Sequence, residues 1–576
     1  MNLKEQIRHS IPAAIVVVIG AWVMIYYSIV QWETMKPVPS WDLAIFSELA
    51  KAYAHFQTPI VPVKGDGYNL LGDHFHPILI LLGPIWRLFP TPLSLLITQD
   101  LLLAFSAWPL TRLASRLTNQ WVAGGLGLVY VLSWGMQGAV AAQFHEIAFA
   151  MPLLAYASVA FVERRWGAVT AWSAPLVLVK EDMGLTVLMI GVAVILTSAV
   201  PAWYRTCTVI RPGGRGADGL DAAGDAAGNA AGSAPQDDAA RNRRRGLRLG
   251  VGMVVGGIAA FLFAIQVFLP AFNINGVWDY GLSSQDQPTS PDALTHKAMV
   301  VVMLILTSGV VGVTSPWLLV VLPTLAWRFL GSVEFYWVWD NWHYNATLMP
   351  IALGALLDVV ARRRAHGSYV ADHPVRQVGV DGRAVMGRSA QAALAAGEAG
   401  EAGEAGTAGE SDVDGPRRRP TAFPTWLTVP MRHRFVVATS ILTAVATGVL
   451  TAPYLPLWQA TNKNFDPLAA EAKQSDEAKR TETHRVAVAH EVIATIPEGA
   501  TVVTDLSLLA YLVPRAEVSW AGTSGPDKEY IVMTPTSANQ WGSSDAAAWG
   551  KKHSKQGATY TLIYNKDNYQ IAKRNG

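Results

Sequence analysis

Five short stretches of this chain carry the residue types that do chemistry. WDLAIFSE holds Asp42 and Glu48, and GDHFHP holds Asp73, His74 and His76. QFHE holds His145 and Glu146, KED is Lys180, Glu181 and Asp182, and WDNWHYN holds His343 and Tyr344. A carboxylate such as Asp42 can take a proton as a general base. Lysine and histidine can stabilise negative charge as it develops on a leaving group. Each stretch also has a plainer reading. Asp42 and Glu48 lie six apart, so they do not share a helix face closely, and Glu48 could simply be solvated. Ser40 could cap their helix. His74 and His76 could bind a metal or hydrogen-bond a ligand or the backbone. Lys180 could meet a phosphate, or the KED cluster could neutralise itself. The aromatic residues at 335–344 could line a site or form an interface belt.

These stretches sit in an apolar setting. Of 576 residues, 51% are hydrophobic and 15% charged, against about 25% charged in soluble proteins. The 21 tryptophans fit a membrane protein, because Trp concentrates at the two interfaces. The single cysteine, Cys207, excludes an internal disulfide framework and a Cys-rich metal site. No basic stripe interleaved with aromatics appears, so no nucleic-acid partner is expected. There is no phosphate-binding P-loop and no G-x-S-x-G elbow. GVGMVVGG at 250–257 lies in an apolar run and reads as small residues for close helix packing.

Apolar runs at roughly 11–30, 91–111, 121–142, 147–162, 167–180, 183–202, 249–270, 298–313, 316–331, 345–360 and 435–454 read as membrane helices. Lys4, Arg8 and the clusters Arg112/Arg116, Arg164/Arg165, Arg205 to Arg248, Arg362–Arg364 and Arg432/Arg434 are placed on the cytoplasmic side. That parity works if 77–89, bounded by Pro77 and Pro90, lies at the outer face without crossing. The expected fold is mainly α: a polytopic transmembrane helical protein of about 11 spans with a small extracytoplasmic α/β C-terminal domain. All five chemical stretches then fall on the outer side.

The expected organisation is a first span at 1–30 and an outer loop with juxtamembrane helices at 31–90. Transmembrane helices follow at 91–204 and 249–360, with a last span at 435–454. Residues 205–248 and 361–434, rich in Gly, Ala and charge, are expected to be disordered cytoplasmic loops, because they have too little apolar surface to offset ordering. Their basic ends read as topology signals, with anionic lipid as the alternative. Residues 455–576 form the extracytoplasmic α/β domain, with a helical stretch near Asp466–Ile496.

The stretches WDLAIFSELAKAYAHF, GDHFHPILILLGPIWRLFP, QFHEIAFAMPLLAYA, LVKEDMGL and HYNATLMPIA, in this order, resemble the DUF2079 family of predicted bacterial membrane proteins. IPEGATVVTDLSLLAYLVPRAEV resembles the region after that family's last span. More distantly, an acidic residue just after the first span and an Asp/His-Pro segment in the same outer loop are similar to the GT-C glycosyltransferases. That similarity implies two juxtamembrane helices in the first outer loop and a polyprenyl-phosphate sugar donor. By position it makes Asp42 and Asp73 the catalytic acidic residues. Glu48, His74, His76, His145, Glu146, Lys180, Glu181, Asp182, His343 and Tyr344 are then candidate substrate-binding residues. The chain departs from the protein O-mannosyltransferases in having Leu43 where they have a second acidic residue, and HFHP where they have HPP.

The expected activity is sugar transfer at the outer leaflet from a polyprenyl-phosphate sugar to an unidentified acceptor. The residues name no certain cofactor, and the histidines leave room for a divalent metal. Two other classes fit the same residues. A transporter or lipid flippase would show inverted repeats and charges spread through the membrane depth. A scaffold or sensor would work through its outer domain.

Overall fold

The computed structural model describes residues 3–36, 40–199, 234–280, 291–331, 333–372, 377–378, 384–385, 429–463, 476–535 and 545–576. It opens with α1 (Leu3–Glu33), followed by α2 (Trp41–Ala54). A short helical segment ends in α3 (Leu82–Leu88) and leads into α4 (Pro92–Leu117). Local chemistry sets the start of α4: Pro92 takes the first helical position and the Thr91 side chain accepts from Leu93 N–H. Then come α5 (Gln120–Val131), α6 (Trp134–Ala141), α7 (Ala150–Val162), α8 (Trp166–Ser173) and α9 (Met183–Ala199). The bundle continues with α10 (Ala234–Phe263), α11 (Ala293–Thr307), α12 (Leu322–Leu330), α13 (Leu348–Asp372) and α14 (Val429–Thr451).

Among the described residues, five helices are long and apolar enough to cross a membrane: Leu3–Glu33, Pro92–Leu117, Asp238–Phe272, His343–Arg364 and His433–Tyr454. Other apolar helices are shorter. Pro77–Leu88 is one of them, below the roughly 17 residues a crossing needs.

Two expected spans are interrupted. The run 121–142 divides at Leu132 and Ser133 into α5 and α6. Gly135 and Gly138 explain the second piece. A Cβ there would lie 2.5 Å from Asn345 O and 2.6 Å from Trp342 O, so α6 is built to admit the 341–345 segment. The run 298–313 stops after Thr307, where Gly309 and Val310 turn with φ of 65° and 62°.

Two expected loops are partly helical. Residues 234–248 belong to α10, and the ends of 361–434 belong to α13 and α14. The remainder of both loops lies outside the described residues, apart from short β pairs at 377–378 and 384–385.

Basic residues collect at one end of the bundle. Arg164 pairs with buried Asp358 at 2.7 Å, and Arg116 and Arg165 reach Glu163 at 2.5 and 2.6 Å. Arg364 donates to Leu117 O at 2.5 Å, and Gln120 donates to Arg8 O at 2.9 Å.

The C-terminal part is a five-stranded sheet flanked by helices. Its strands are β1 (Thr501–Thr504), β2 (Glu517–Trp520), β3 (Tyr530–Met533), β4 (Tyr560–Lys566) and β5 (Tyr569–Arg574). Their order is β2-β1-β3-β5-β4, with β1 parallel to β2 and β3 and the other pairs antiparallel. Alternation along the strands feeds two cores. Val502, Val532 and Ile571 pack with the helix Asp476–Thr495, while Val503, Ile531 and Ala572 pack with the helix Ala546–His553.

This domain docks on α2. Ser40, expected to cap α2, makes no cap hydrogen bond; its Oγ donates to Leu506 O at 2.8 Å. Lys51 donates to Val513 O and Ala516 O at 2.7 and 2.8 Å. Trp32 stacks on Tyr511 at 4.3 Å, and Trp41 meets Trp520 edge-on at 4.8 Å.

Candidate functional site

At the end of the bundle opposite the arginines, a cavity of about 850 Å³ opens between the helices and the C-terminal domain. Eleven of the twelve residues singled out from sequence line it: Asp42, Asp73, His74, His76, His145, Glu146, Lys180, Glu181, Asp182, His343 and Tyr344. The exception is Glu48. It is buried on the other side of α2, where its Oε1 accepts from Val518 N–H at 3.2 Å. Its part is in docking the domain, not in the cavity.

Asp42 stands in the first turn of α2, with its side chain 41% exposed. His145 Nε2 lies 3.6 Å from its Oδ2, too long for a hydrogen bond but within reach of an ion pair. The rings of His145 and His343 stack with centroids 3.5 Å apart. Gln99, on α4, fixes this arrangement. Its amide donates to Ala139 O and Gln143 O at 3.1 and 2.9 Å, and its Oε1 accepts from His145 N–H at 2.9 Å. Those bonds hold Gln143 in a left-handed conformation, φ 72°, which costs a non-glycine residue on the order of 1 kcal/mol.

Lys180 is not free for a ligand, because its ammonium lies 2.8 Å from Glu146 Oε1. The contact is an ion pair off the axis of a well-directed hydrogen bond. Burial opposes the lysine charge, but Glu146, Glu181 and Asp182 outweigh it and hold the ammonium strongly protonated. Glu181 is engaged too. It accepts from His74 Nδ1 at 2.8 Å and from Phe75 N–H at 3.0 Å. Burial works against both charges, yet the pairing raises the His74 pKa and lowers that of Glu181. Asp182 is different: burial, with Glu181 adding to it against Lys180, lifts it to about 6.

Asp73, expected to be catalytic, is a clasp. Its Oδ1 accepts from Lys64 at 2.6 Å, Tyr68 at 2.9 Å and Tyr280 at 3.0 Å. Burial raises its pKa, but His74, Lys64 and these hydrogen bonds overcome that and hold it at about 2. A carboxylate this acidic and this engaged is a poor base. His74 and His76 do not converge on a metal. His74 turns to Glu181, whereas His76 packs edge-on against Phe46. Burial, aided by His74 against Glu146, lowers His76 to about 4, so its ring is neutral. Among the described residues no group of three or more His, Cys, Asp or Glu is arranged to hold a metal ion.

Phe335, Tyr336, Trp342 and Tyr344 form one wall of the cavity. Arg328 fixes that wall by donating to Tyr336 O, Tyr344 O and Asn345 Oδ1. A separate apolar wall joins Phe261, Trp278 and Trp327, with Leu185 and Pro323 beside them. Leu506 and Trp520 of the C-terminal domain also line the cavity. Nδ1 of His76, Nδ1 of His343 and Oδ1 of Asp182 are buried without a hydrogen-bond partner among the described residues.

Sequence reasoning missed Lys64, Tyr280, Arg328, Gln99 and Trp520. Only Gln99 carried a visible signal, as one of two adjacent polar residues inside an apolar run.

A family model described as "Predicted membrane protein (DUF2079)" matches residues 38–376, a stretch that contains every cavity residue except Leu506 and Trp520. No curated protein and no solved structure matches the chain.

Proposed function

This chain belongs to the DUF2079 family of predicted membrane proteins, and on that premise we propose that it is a GT-C-like glycosyltransferase. It moves a sugar from a polyprenyl-phosphate donor to an acceptor hydroxyl. The observation that carries this reading is the two-sided character of the cavity. Charged and imidazole groups gather around half-exposed Asp42, and the apolar wall sets Phe261 and Trp327, on helices of the bundle, against Trp278 of the segment that follows Phe272. An amphipathic donor fits such a site: headgroup in the polar chamber, chain along the apolar wall. The volume falls within the roughly 300–1,000 Å³ usual for small-molecule sites. The helix pair α2 and Pro77–Leu88 in the first loop also fits the GT-C pattern.

In this reading Asp42 takes the proton of the acceptor hydroxyl, and His145 orients the carboxylate. The acceptor oxygen bonds to the anomeric carbon as the bond from that carbon to the phosphate oxygen breaks. The phosphate leaves with the electron pair, toward His343, while Lys180 stays paired with Glu146. The cavity end faces the outside of the cell, the arginine end the cytoplasm, and the shorter helices complete about eleven spans with the C-terminal domain outside.

The test is binding of undecaprenyl phosphate to the full-length protein, compared with phosphatidylglycerol, alongside transfer from a polyprenyl-phosphate sugar. Asp42→Asn should keep binding and lose transfer by about 10²–10⁴-fold. Undecaprenyl phosphate binding no better than phosphatidylglycerol would remove the donor assignment.

A further inference from the structure

The helix α10 carries a surface that the cavity does not use. Arg241, Arg244, Arg245 and Arg248 follow an i, i+3, i+4, i+7 spacing, so they form one stripe. They border a cleft of about 370 Å³ with Leu249, where the apolar part of the helix begins. Arg241 pairs with Asp238 at 2.5 Å. Arg244, Arg245 and Arg248 have no ion-pair partner among the described residues.

The rotation of this helix is fixed by glycines. A side chain at Gly250 would run into Gly191 and Ile195 of α9, and one at Gly257 into Gly184 and Leu188. Gly246 packs in the same way against Ser198 and Trp166. At about 100° per residue, the arginine stripe therefore points away from α9. Below it, on the same outward side, Val251, Val255, Ile258 and Leu262 are exposed. Gly252 and Gly256 beside them face open space, with nothing within 4 Å of an added Cβ. Three guanidinium groups, without an ion-pair partner among the described residues, thus sit directly above an apolar strip notched by two glycines.

We propose that this face of α10 binds an anionic phospholipid of the membrane leaflet at the arginine end, its phosphate held by Arg244, Arg245 and Arg248. One acyl chain then lies along the notch at Gly252 and Gly256. Charge selects this occupant over a second copy of the chain. Two-fold pairing about the membrane normal through this face would set each arginine stripe against its own copy, and like charges repel. The lipid satisfies both halves of the surface at once, since guanidinium groups pair well with phosphate oxygens. The proposal does not depend on the sugar-transfer reading, because it concerns the opposite end of the bundle.

The test is native mass spectrometry of the full-length protein in detergent, with phosphatidylglycerol competing against phosphatidylcholine. The expected result is preferential retention of phosphatidylglycerol. Each arginine replaced by glutamine should lower that preference about fivefold, and the triple variant on the order of a hundredfold. Gly252→Leu/Gly256→Leu, which leaves the α9 seam untouched, should weaken retention while the arginines remain. Equal retention of the two lipids, or an unchanged preference in the triple variant, would overturn the proposal. So would displacement of the lipid by millimolar inorganic phosphate, which would make the site one for free phosphate. Loss of a dimer in the glycine variant with lipid retention unaltered would assign the face to a second copy instead.

Discussion

Replacing Glu48 by glutamine should make docking of the C-terminal domain insensitive to pH. Glu48 is enclosed between α2 and β2, and burial raises its pKa from an ordinary 4.5 to about 7. Lys51 and the Val518 N–H pull it down, and Glu517 pushes it up. When the domain lifts away, the side chain is hydrated and titrates normally. The docked form therefore holds the extra proton between about pH 4.5 and 7. Docking is strongest below that window, weakens as pH rises through it, and is constant above it. The full difference is about 3 kcal/mol. Between pH 5.5 and 8 it amounts to about a 30-fold fall in the docking constant. Hydrogen exchange at 513–520 in the full-length protein, corrected for intrinsic rates, reads this directly. Glutamine keeps an oxygen to accept from Val518 N–H, so Glu48→Gln should show wild-type protection at acid pH and lose the dependence. A variant that keeps the wild-type pH dependence would refute the assignment to Glu48. A wild type that undocks toward acid pH would refute the sign.

Three further outcomes follow from the cavity. Lys180→Met leaves Glu146 charged and unpaired in a buried position, which should cost about 3–5 kcal/mol, read as a lowered unfolding temperature in detergent. Adding Glu146→Gln should recover most of that loss, and no recovery would show that the pair does not stabilise the fold. Gln99→Leu should cost about 1–3 kcal/mol for each buried backbone group left unpaired, Ala139 O and His145 N–H first among them; wild-type stability would remove Gln99 as their anchor. Asp73→Asn should destabilise the loop between α2 and α3, visible as faster exchange at 64–76, while undecaprenyl phosphate still binds. Loss of transfer with an unchanged loop would return Asp73 to the chemistry.

What the sequence made legible was the set of groups sharing one end of the bundle. Arginine placement alone put 42, 73–76, 145–146, 180–182 and 343–344 on one side, and in the structure these positions border one cavity. A charge pattern can sort residues this coarsely because a membrane permits only two ends. Which face of α2 each carboxylate takes is a finer matter. Sequence made Asp42 catalytic and Glu48 a binding or solvated residue, but not a docking one; that part is made by residues 506–520, more than 450 positions away. The partners of Asp73 were hidden for the same reason: Tyr280, one of the donors that occupy it, arrives from 207 positions downstream.

The broken spans show a second limit, and it bears on how the site is built. Hydropathy reads 121–142 as one helix because Leu132, Ser133 and the glycines do not interrupt an apolar average. The chain nevertheless breaks there, and Gly135 and Gly138 in the second piece receive the backbone of Asn345 and Trp342. That close approach brings the 341–345 segment, with His343, beside the loop that carries His145. The stacked imidazoles facing Asp42 therefore depend on two glycines that have no side chain to contribute. Gly138→Ala is the direct check. An added Cβ would lie 2.6 Å from Trp342 O, so backbone must shift, and an offset of about 1 Å at a reacting group can cost about 10²-fold in rate. Transfer should fall by that order while undecaprenyl phosphate binding to the apolar wall persists. Unchanged transfer would mean that the His145–His343 stack is not part of what positions Asp42.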